Sequence, residues 1–358
     1  MSDVICEVHG GAGLMSLNRP KALNALSLGM LRELTGALLR WQGDDRVRAV
    51  ALRGHGKEGP FGAFCAGGDI RFFHQAALAG DPRLEDFFTE EYALNHLVHR
   101  YPKPYVAFLD GIVMGGGMGI SGHGGANSLR IATERTKMAM PETNIGLFPD
   151  VGGGWFLARC PGHMGEYLAL TGQMFGAADA VVLGLVDGHV ASSQLPALWD
   201  ALAADGVDAV RAKLSTDTAG AQFAPRRADI DRFFGLADIA AIVDALEADG
   251  SAWAADTAAV LRKRSPLMLH VTLRQVRAAR GMSLADDLRM ERDLMRHCFQ
   301  LRPGAASETV EGIRALAVDK DHAPRWNPAR IEDVTPDIVD AFFASPWPAW
   351  AHPLRPLV

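Results

Sequence analysis

Several absences narrow the field. The chain has only four cysteines, Cys6, Cys65, Cys160 and Cys298, far apart and with no CxxC pair. That argues against a disulfide framework or a cysteine zinc site and fits a reducing compartment. Positive charge is not in excess: 36 basic residues stand against 42 acidic ones, a formal net charge of -6. The basic footprint of a nucleic-acid binder is therefore missing. No stretch is long and apolar enough to cross a bilayer. The opening MSDVICEVHGGAG has neither a basic start nor a long apolar run, so no signal peptide is expected and the protein is read as soluble and cytoplasmic. Twelve histidines are scattered without a metal-ligand spacing, so no metal site is expected.

What is present is a globular composition, 48% hydrophobic and 22% charged, over 358 residues. That length fits two domains, or one large domain with an appendage. Glycine is abundant, at 38 residues, and bunched. Bunched glycine marks loops where backbone must approach something closely.

The front of the chain mixes strands and helices. Val4–His9 and Leu14–Asn18 read as strands joined through Gly10, Gly11 and Gly13, a hairpin pattern. Ser27 is placed to cap a helix reaching about Trp41, with Leu28, Leu31, Leu34 and Leu38 at helical spacing. Val47–Arg53 reads as the next strand. Helices are expected over Arg71–Leu78 and Leu84–His99, then a buried strand at Tyr105–Leu109. Leu129–Ala132 and Lys137–Met140 read as a strand pair, and Leu185–Val190 as the last strand. Beyond about residue 200 the glycine clusters vanish and amphipathic helices take over: Ile239–Ala248, Ala252–Arg264, Pro266–Ala279, Leu284–Phe299 and Ser307–Val318. The expected division is an α/β domain over 1–200 and an α-helical domain over 225–358, with the boundary near 195–225.

Three segments carry chemistry. Ala66-Gly67-Gly68-Asp69 and Met114-Gly115-Gly116-Gly117 each follow a strand and precede a helix. Two such turns facing each other aim two backbone N–H groups at one oxygen, which is an oxyanion hole for acyl chemistry. Two tight turns with no ligand account for the pattern equally well. The third segment, Met140–Gly154, holds Glu142 and Asp150 in an otherwise apolar loop. Apolar surroundings raise carboxylate pKa values, which suits general acid–base work. Asp150 is equally well placed to cap the following helix; Glu142 has no such job. Gly117-Met118-Gly119-Ile120-Ser121-Gly122 fits a dinucleotide fingerprint, but no helix and parallel strand follow it, so a nucleotide cofactor is not expected. Cys65 and Ser121 lack a nucleophile elbow. Arg226-Arg227 and Arg262-Lys263-Arg264 read as solvated faces.

Taken together, these segments resemble the crotonase (enoyl-CoA hydratase/isomerase) superfamily. Asn18–Leu26 looks like its N-terminal coenzyme A segment, Phe64–Ile70 its first oxyanion segment and Asp110–Gly117 its second. The resemblance implies a spiral of ββα units followed by the helical domain. It also implies that the N–H groups of Gly68 and Gly116 bind a thioester oxygen, and that Lys21, Ala22, Leu23, Ala66, Gly67, Asp69, Glu91 and Gly115 line the substrate and coenzyme A site. Ala139–Gly154, Glu90-Glu91-Tyr92 and Glu311–Asp321 are more similar still to the 3-hydroxyisobutyryl-CoA hydrolase branch, associated with valine catabolism. That branch implies Glu142 and Asp150 as catalytic or substrate-positioning carboxylates. Hydratases place a second catalytic glutamate where this chain has Gly119. Hydrolysis of a short 3-hydroxyacyl-CoA is therefore expected. No cofactor is expected, since coenzyme A is part of the substrate. Neither nucleic acid nor membrane is expected as a partner, and a homo-oligomer is compatible. Glu142 either activates water or attacks the carbonyl itself to form a mixed anhydride. Hydration or isomerisation with rearranged acids, and plain acyl-CoA binding without turnover, are the competing expectations.

Overall fold

The computed structural model of the chain describes residues 2–358. Eight strands are found among them: β1 (Val4–His9), β2 (Ala12–Leu17), β3 (Ala49–Gly54), β4 (Tyr105–Leu109), β5 (Ile112–Met114), β6 (Ser128–Thr133), β7 (Lys137–Ala139) and β8 (Gly188–Val190). The helices of the front half are α1 (Leu28–Gln42), α2 (Ile70–Ala79), α3 (Arg83–His99), α4 (Gly116–Gly119), α5 (Gly153–Leu157), α6 (Met164–Thr171), α7 (Ala177–Val182), α8 (Leu195–Asp205) and α9 (Val207–Arg211). Those of the back are α10 (Arg227–Phe234), α11 (Ile239–Ala248), α12 (Ala252–Leu261), α13 (Pro266–Ala279), α14 (Leu284–Gln300), α15 (Glu308–Ile313) and α16 (Pro336–Phe343). The chain groups into two compact units. The first comprises residues up to Gly68, Ala93–Ala139 and Met174–Pro225; the second comprises Asp69–Tyr92, Met140–Gln173 and Arg226–Val358.

The first unit is built on a sheet ordered β1-β2-β3-β4-β6-β8. The hairpin pairs β1 with β2 antiparallel, His9 opposite Ala12, and every later pairing in this sheet is parallel. All five residues of β4 are buried, as a continuous apolar run in the middle of a parallel sheet should be. Leu14, Ala51, Val106, Phe108, Leu129 and Ile131 pack with Leu195, Leu198, Trp199 and Leu202 of α8. Fully burying each large apolar side chain contributes roughly 1.5–3 kcal/mol. Ser27 caps α1, its hydroxyl accepting from Met30 N at 3.3 Å.

The expected pairing of the two strands after the glycine run is not found. β6 lies between β4 and β8, while β7 pairs in parallel with β5 in a separate two-stranded sheet. The cause is the bend at Gly111, which has φ +76° and whose missing Cβ leaves room for the Gly62 backbone. The chain leaves the first sheet there, and β5, at three residues, is too short to show a period of two.

The second unit is helical. α13 has Pro266 at its first position and Ser265 as its cap, and buries ten of its residues. The expected long helix over Ser307–Val318 divides into α15 and a single π turn at Arg314–Val318. No helix of the described residues is long and apolar enough to cross a membrane.

Candidate active site

In the first unit the two glycine turns lie against each other. Cys65 N donates to Ile112 O at 2.9 Å and Met114 N to Cys65 O at 3.0 Å, so the strand entering one turn is laced to the strand entering the other. Gly67 has φ +102°, and a Cβ there would sit 3.3 Å from Met114 O and 3.6 Å from Gly116 N. Gly117 has no room for a Cβ because Cys65 O occupies that place. The pattern thus serves close approach of two backbones. Among the described residues, neither Gly68 N–H nor Gly116 N–H donates to a backbone acceptor. Gly116 opens α4, where a first-turn amide is free by construction. Two unengaged amides on adjoining turns are what an oxyanion hole requires.

The segment Pro20–Ala22 is a single helical turn ended by Leu23 in the left-handed region. Leu23 O accepts from Ala66 N at 3.0 Å, tying this segment to the first glycine turn. Lys21 and Ala22 are exposed, and Leu23 is 42% exposed, which leaves an apolar side chain open to a ligand. Asn24 holds the segment from behind, its amide donating to Ala63 O at 2.7 Å and to His55 O at 3.0 Å.

The second unit brings Glu91, Glu142 and Asp150 together. Glu142 begins a short turn, Glu142–Ile145, after Pro141. All three carboxyls are buried. Among the described residues Glu142 Oε2 and Glu91 Oε1 have no hydrogen-bond partner, whereas Asp150 Oδ2 accepts from the Tyr92 hydroxyl at 2.8 Å. Burial is the largest influence on each. It pushes Glu91 well above the usual carboxylate range, reinforced by Asp150 and Glu142. It does the same to Glu142, reinforced by Asp150. Asp150 is pushed up to about 7, with the Tyr92 hydrogen bond pulling the other way. Each of these charges opposes the next, so ionising one of the three acids makes the others harder to ionise. That is the arrangement general acid–base chemistry needs. Asp69, also expected at the substrate, directs a carboxylate oxygen to Phe72 N and caps α2.

A family model described as enoyl-CoA hydratase/isomerase matches residues 12–343. The chain belongs to this family. It is 42% identical over 347 residues to a protein named 3-hydroxyisobutyryl-CoA hydrolase, mitochondrial, from Xenopus tropicalis, covering 94% of this chain and 87% of that one. It is 40% identical over 357 residues to 3-hydroxyisobutyryl-CoA hydrolase 1 of Arabidopsis thaliana, covering 96% and 91%. Among solved structures, a carnitinyl-CoA dehydratase from Mycobacterium thermoresistibile superposes with a TM-score of 0.88 at 41% identity, over 96% of this chain and 97% of that one. An enoyl-CoA hydratase from Rhodobacter sphaeroides gives 0.87 at 36% identity, over 96% and 98%. The α/β crotonase fold is thereby shown.

For an enoyl-CoA hydratase/isomerase family member, Gly119 is the telling position. It is buried in α4 and brings no carboxyl. The capping alternative for Asp150 does not hold. The cap of α5 is Gly152, without a side-chain bond. The free amides there are taken instead by α14: Gly152 N and Gly154 N donate to Glu291 at 2.7 and 2.9 Å, and Trp155 N donates to Asp287 at 2.9 Å. Tyr92, Gln275, Asp287 and Glu291 are the residues of this site that motif reasoning missed. A signal existed for two of them: Asp287 and Glu291 fall on the buried stripe of α14 with Leu284, Leu288 and Met295, where acids are out of place. Cys65 and Ser121 are structural, their side chains bonded to Asn24 O and Met118 O. Arg264 is not on a solvated face, since its guanidinium bonds Thr171 O and Asn144 Oδ1. No cluster of three or more metal-ligating side chains occurs among the described residues.

Proposed function

We propose that this chain hydrolyses a short-chain 3-hydroxyacyl-CoA thioester of the 3-hydroxyisobutyryl type to the free acid and coenzyme A. The observation that carries the proposal is the buried trio of Glu91, Glu142 and Asp150, in which Glu142 keeps an oxygen without a partner. Plain ligand binding has no use for such a group, because an unpaired buried carboxyl destabilises the fold. In this reading the amides of Gly68 and Gly116 receive the thioester oxygen as it becomes an oxyanion. Lys21, Ala22, Leu23, Ala66, Gly67, Asp69 and Gly115 hold the substrate and its coenzyme A portion. Glu142 takes the proton from water as it attacks, or attacks first and leaves the anhydride for water; either way the C–S bond breaks and the thiolate leaves. Asp150 meets the 3-hydroxyl, and Glu91 completes the acid pocket. No further cofactor enters. No disulfide joins the four cysteines among the described residues, which fits a reducing compartment, and we assign the cytoplasm.

Free thiol released from 3-hydroxyisobutyryl-CoA and 3-hydroxypropionyl-CoA tests the proposal. Glu142→Gln should lose about 10²–10⁴-fold in kcat. Wild-type turnover in that variant removes Glu142 from the chemistry. The names of the two solved neighbours favour a second reading, hydration or dehydration of an enoyl thioester. Gly119 stands against it.

A further inference from the structure

Asp150 is carried on a strained turn. Val151 has φ +58° and Gly152 φ +85°. A β-branched residue in the left-handed region persists only where its surroundings hold it there. Here they do. Gln275 Nε2 donates to Pro149 O at 2.6 Å, one residue before Asp150. Glu291 Oε2 accepts from Gly152 N at 2.7 Å, two residues after it, and Glu291 Oε1 accepts from Gly154 N at 2.9 Å and from Gln275 Nε2 at 3.1 Å. Gln275 and Glu291 are completely buried and stand on two long helices, α13 and α14. Satisfying the first amides of a five-residue helix does not call for a buried acid, since a neutral Ser or Asn does that work.

The structure assigns Glu291 a positioning role: with Gln275 it clamps the Val151–Gly152 turn so that the Asp150 carboxyl stays on the Tyr92 hydroxyl, and it thereby sets the preference for acyl groups that carry a 3-hydroxyl. This rests on the reading of Asp150 as the group that meets that hydroxyl. Glu291 acts through Asp150 and does not touch substrate.

The test compares kcat and KM for 3-hydroxyisobutyryl-CoA and for isobutyryl-CoA, which lacks the hydroxyl, in the wild type, Glu291→Gln, Gln275→Met and Asp150→Asn. Glutamine at 291 keeps one acceptor oxygen and loses the other. In Glu291→Gln the ratio of kcat/KM for the hydroxylated over the plain ester should fall by about tenfold or more, mainly through kcat, because a hydroxyl-reading site loses discrimination when its partner is displaced. Gln275→Met should shift the ratio the same way by less, and it carries the comparison if Glu291→Gln does not fold. Adding Val151→Gly to Glu291→Gln should recover part of the ratio, since glycine adopts the left-handed region freely. Equal loss on both esters, or no recovery with Val151→Gly, overturns the role. A collapsed ratio in Asp150→Asn beside an unchanged one in Glu291→Gln overturns it alone. A wild-type ratio in Asp150→Asn overturns it together with the reading of Asp150.

Discussion

In the first unit the candidate functional groups are main-chain amides; in the second they are buried carboxyls. The amides of Gly68 and Gly116 are left free by the ordinary geometry of turns and helix starts, and glycine lets those turns close on each other. The carboxyls of Glu91, Glu142 and Asp150 come from three separate stretches, α3, the turn after Pro141 and the turn before α5, and each is held away from water at a cost that shows as a raised pKa. A backbone site depends on local shape, whereas a carboxyl site depends on what surrounds it.

Substitutions can break that contrast, beginning with the largest effect. In the first unit a methyl group should suffice. Gly67→Ala places a Cβ beside Met114 O and Gly116 N at a position with φ +102°, so kcat should drop by about 10²–10³-fold if an oxyanion donor is displaced. Steady-state kinetics beside a melting curve check this: lost kcat at near-wild-type KM supports the amide role, and wild-type kcat removes it. A middling effect is expected in the second unit. Tyr92→Phe deletes the hydrogen bond that lowers the Asp150 pKa. Asp150 should then titrate higher, the alkaline rise of kcat/KM should move to higher pH, and kcat should fall roughly tenfold, the worth of a bond to a charged group. A pH–rate profile unchanged from wild type contradicts the coupling.

The smallest effect concerns stability. Asp150 titrates near 7 when folded against a usual 3.8. Between those values the folded chain keeps a proton that the unfolded chain has lost. Its contribution is therefore most favourable below the unfolded value and declines as pH rises to about 7, then stays level. Asp150→Asn removes that decline. Its Tm should exceed the wild type's by on the order of a few degrees above neutral pH, with the gap closing in acid. A gap that instead widens in acid contradicts the assigned shift.

The same contrast explains what could be read from sequence. The hairpin, the Ser27 cap, the fully buried β4 and the bounds of α11 and α13 follow from local periodicity and capping, and they emerge as expected. Both glycine turns were legible because glycine is demanded by the backbone itself. The pairing of β7 with β5 was not, since a strand of three residues carries no partner information and the bend at Gly111 decides the sheet. Glu142 stood out because an acid in an apolar loop has no local task. Glu291 could be flagged only as an acid on the buried stripe of α14; its partners at Gly152 and Gly154 lie about 140 residues away in sequence, and no spacing rule connects them. The tie between Tyr92 and Asp150 was hidden for the same reason.

The proposed reaction is hydrolysis of a 3-hydroxyacyl thioester and not hydration of an enoyl one. The most direct measurement follows thiol release and enoyl-thioester absorbance in the same cuvette, with 3-hydroxyisobutyryl-CoA and then its dehydrated counterpart as substrates. The account predicts free coenzyme A from the hydroxylated ester and no interconversion of the two. Interconversion without thiol release would contradict it.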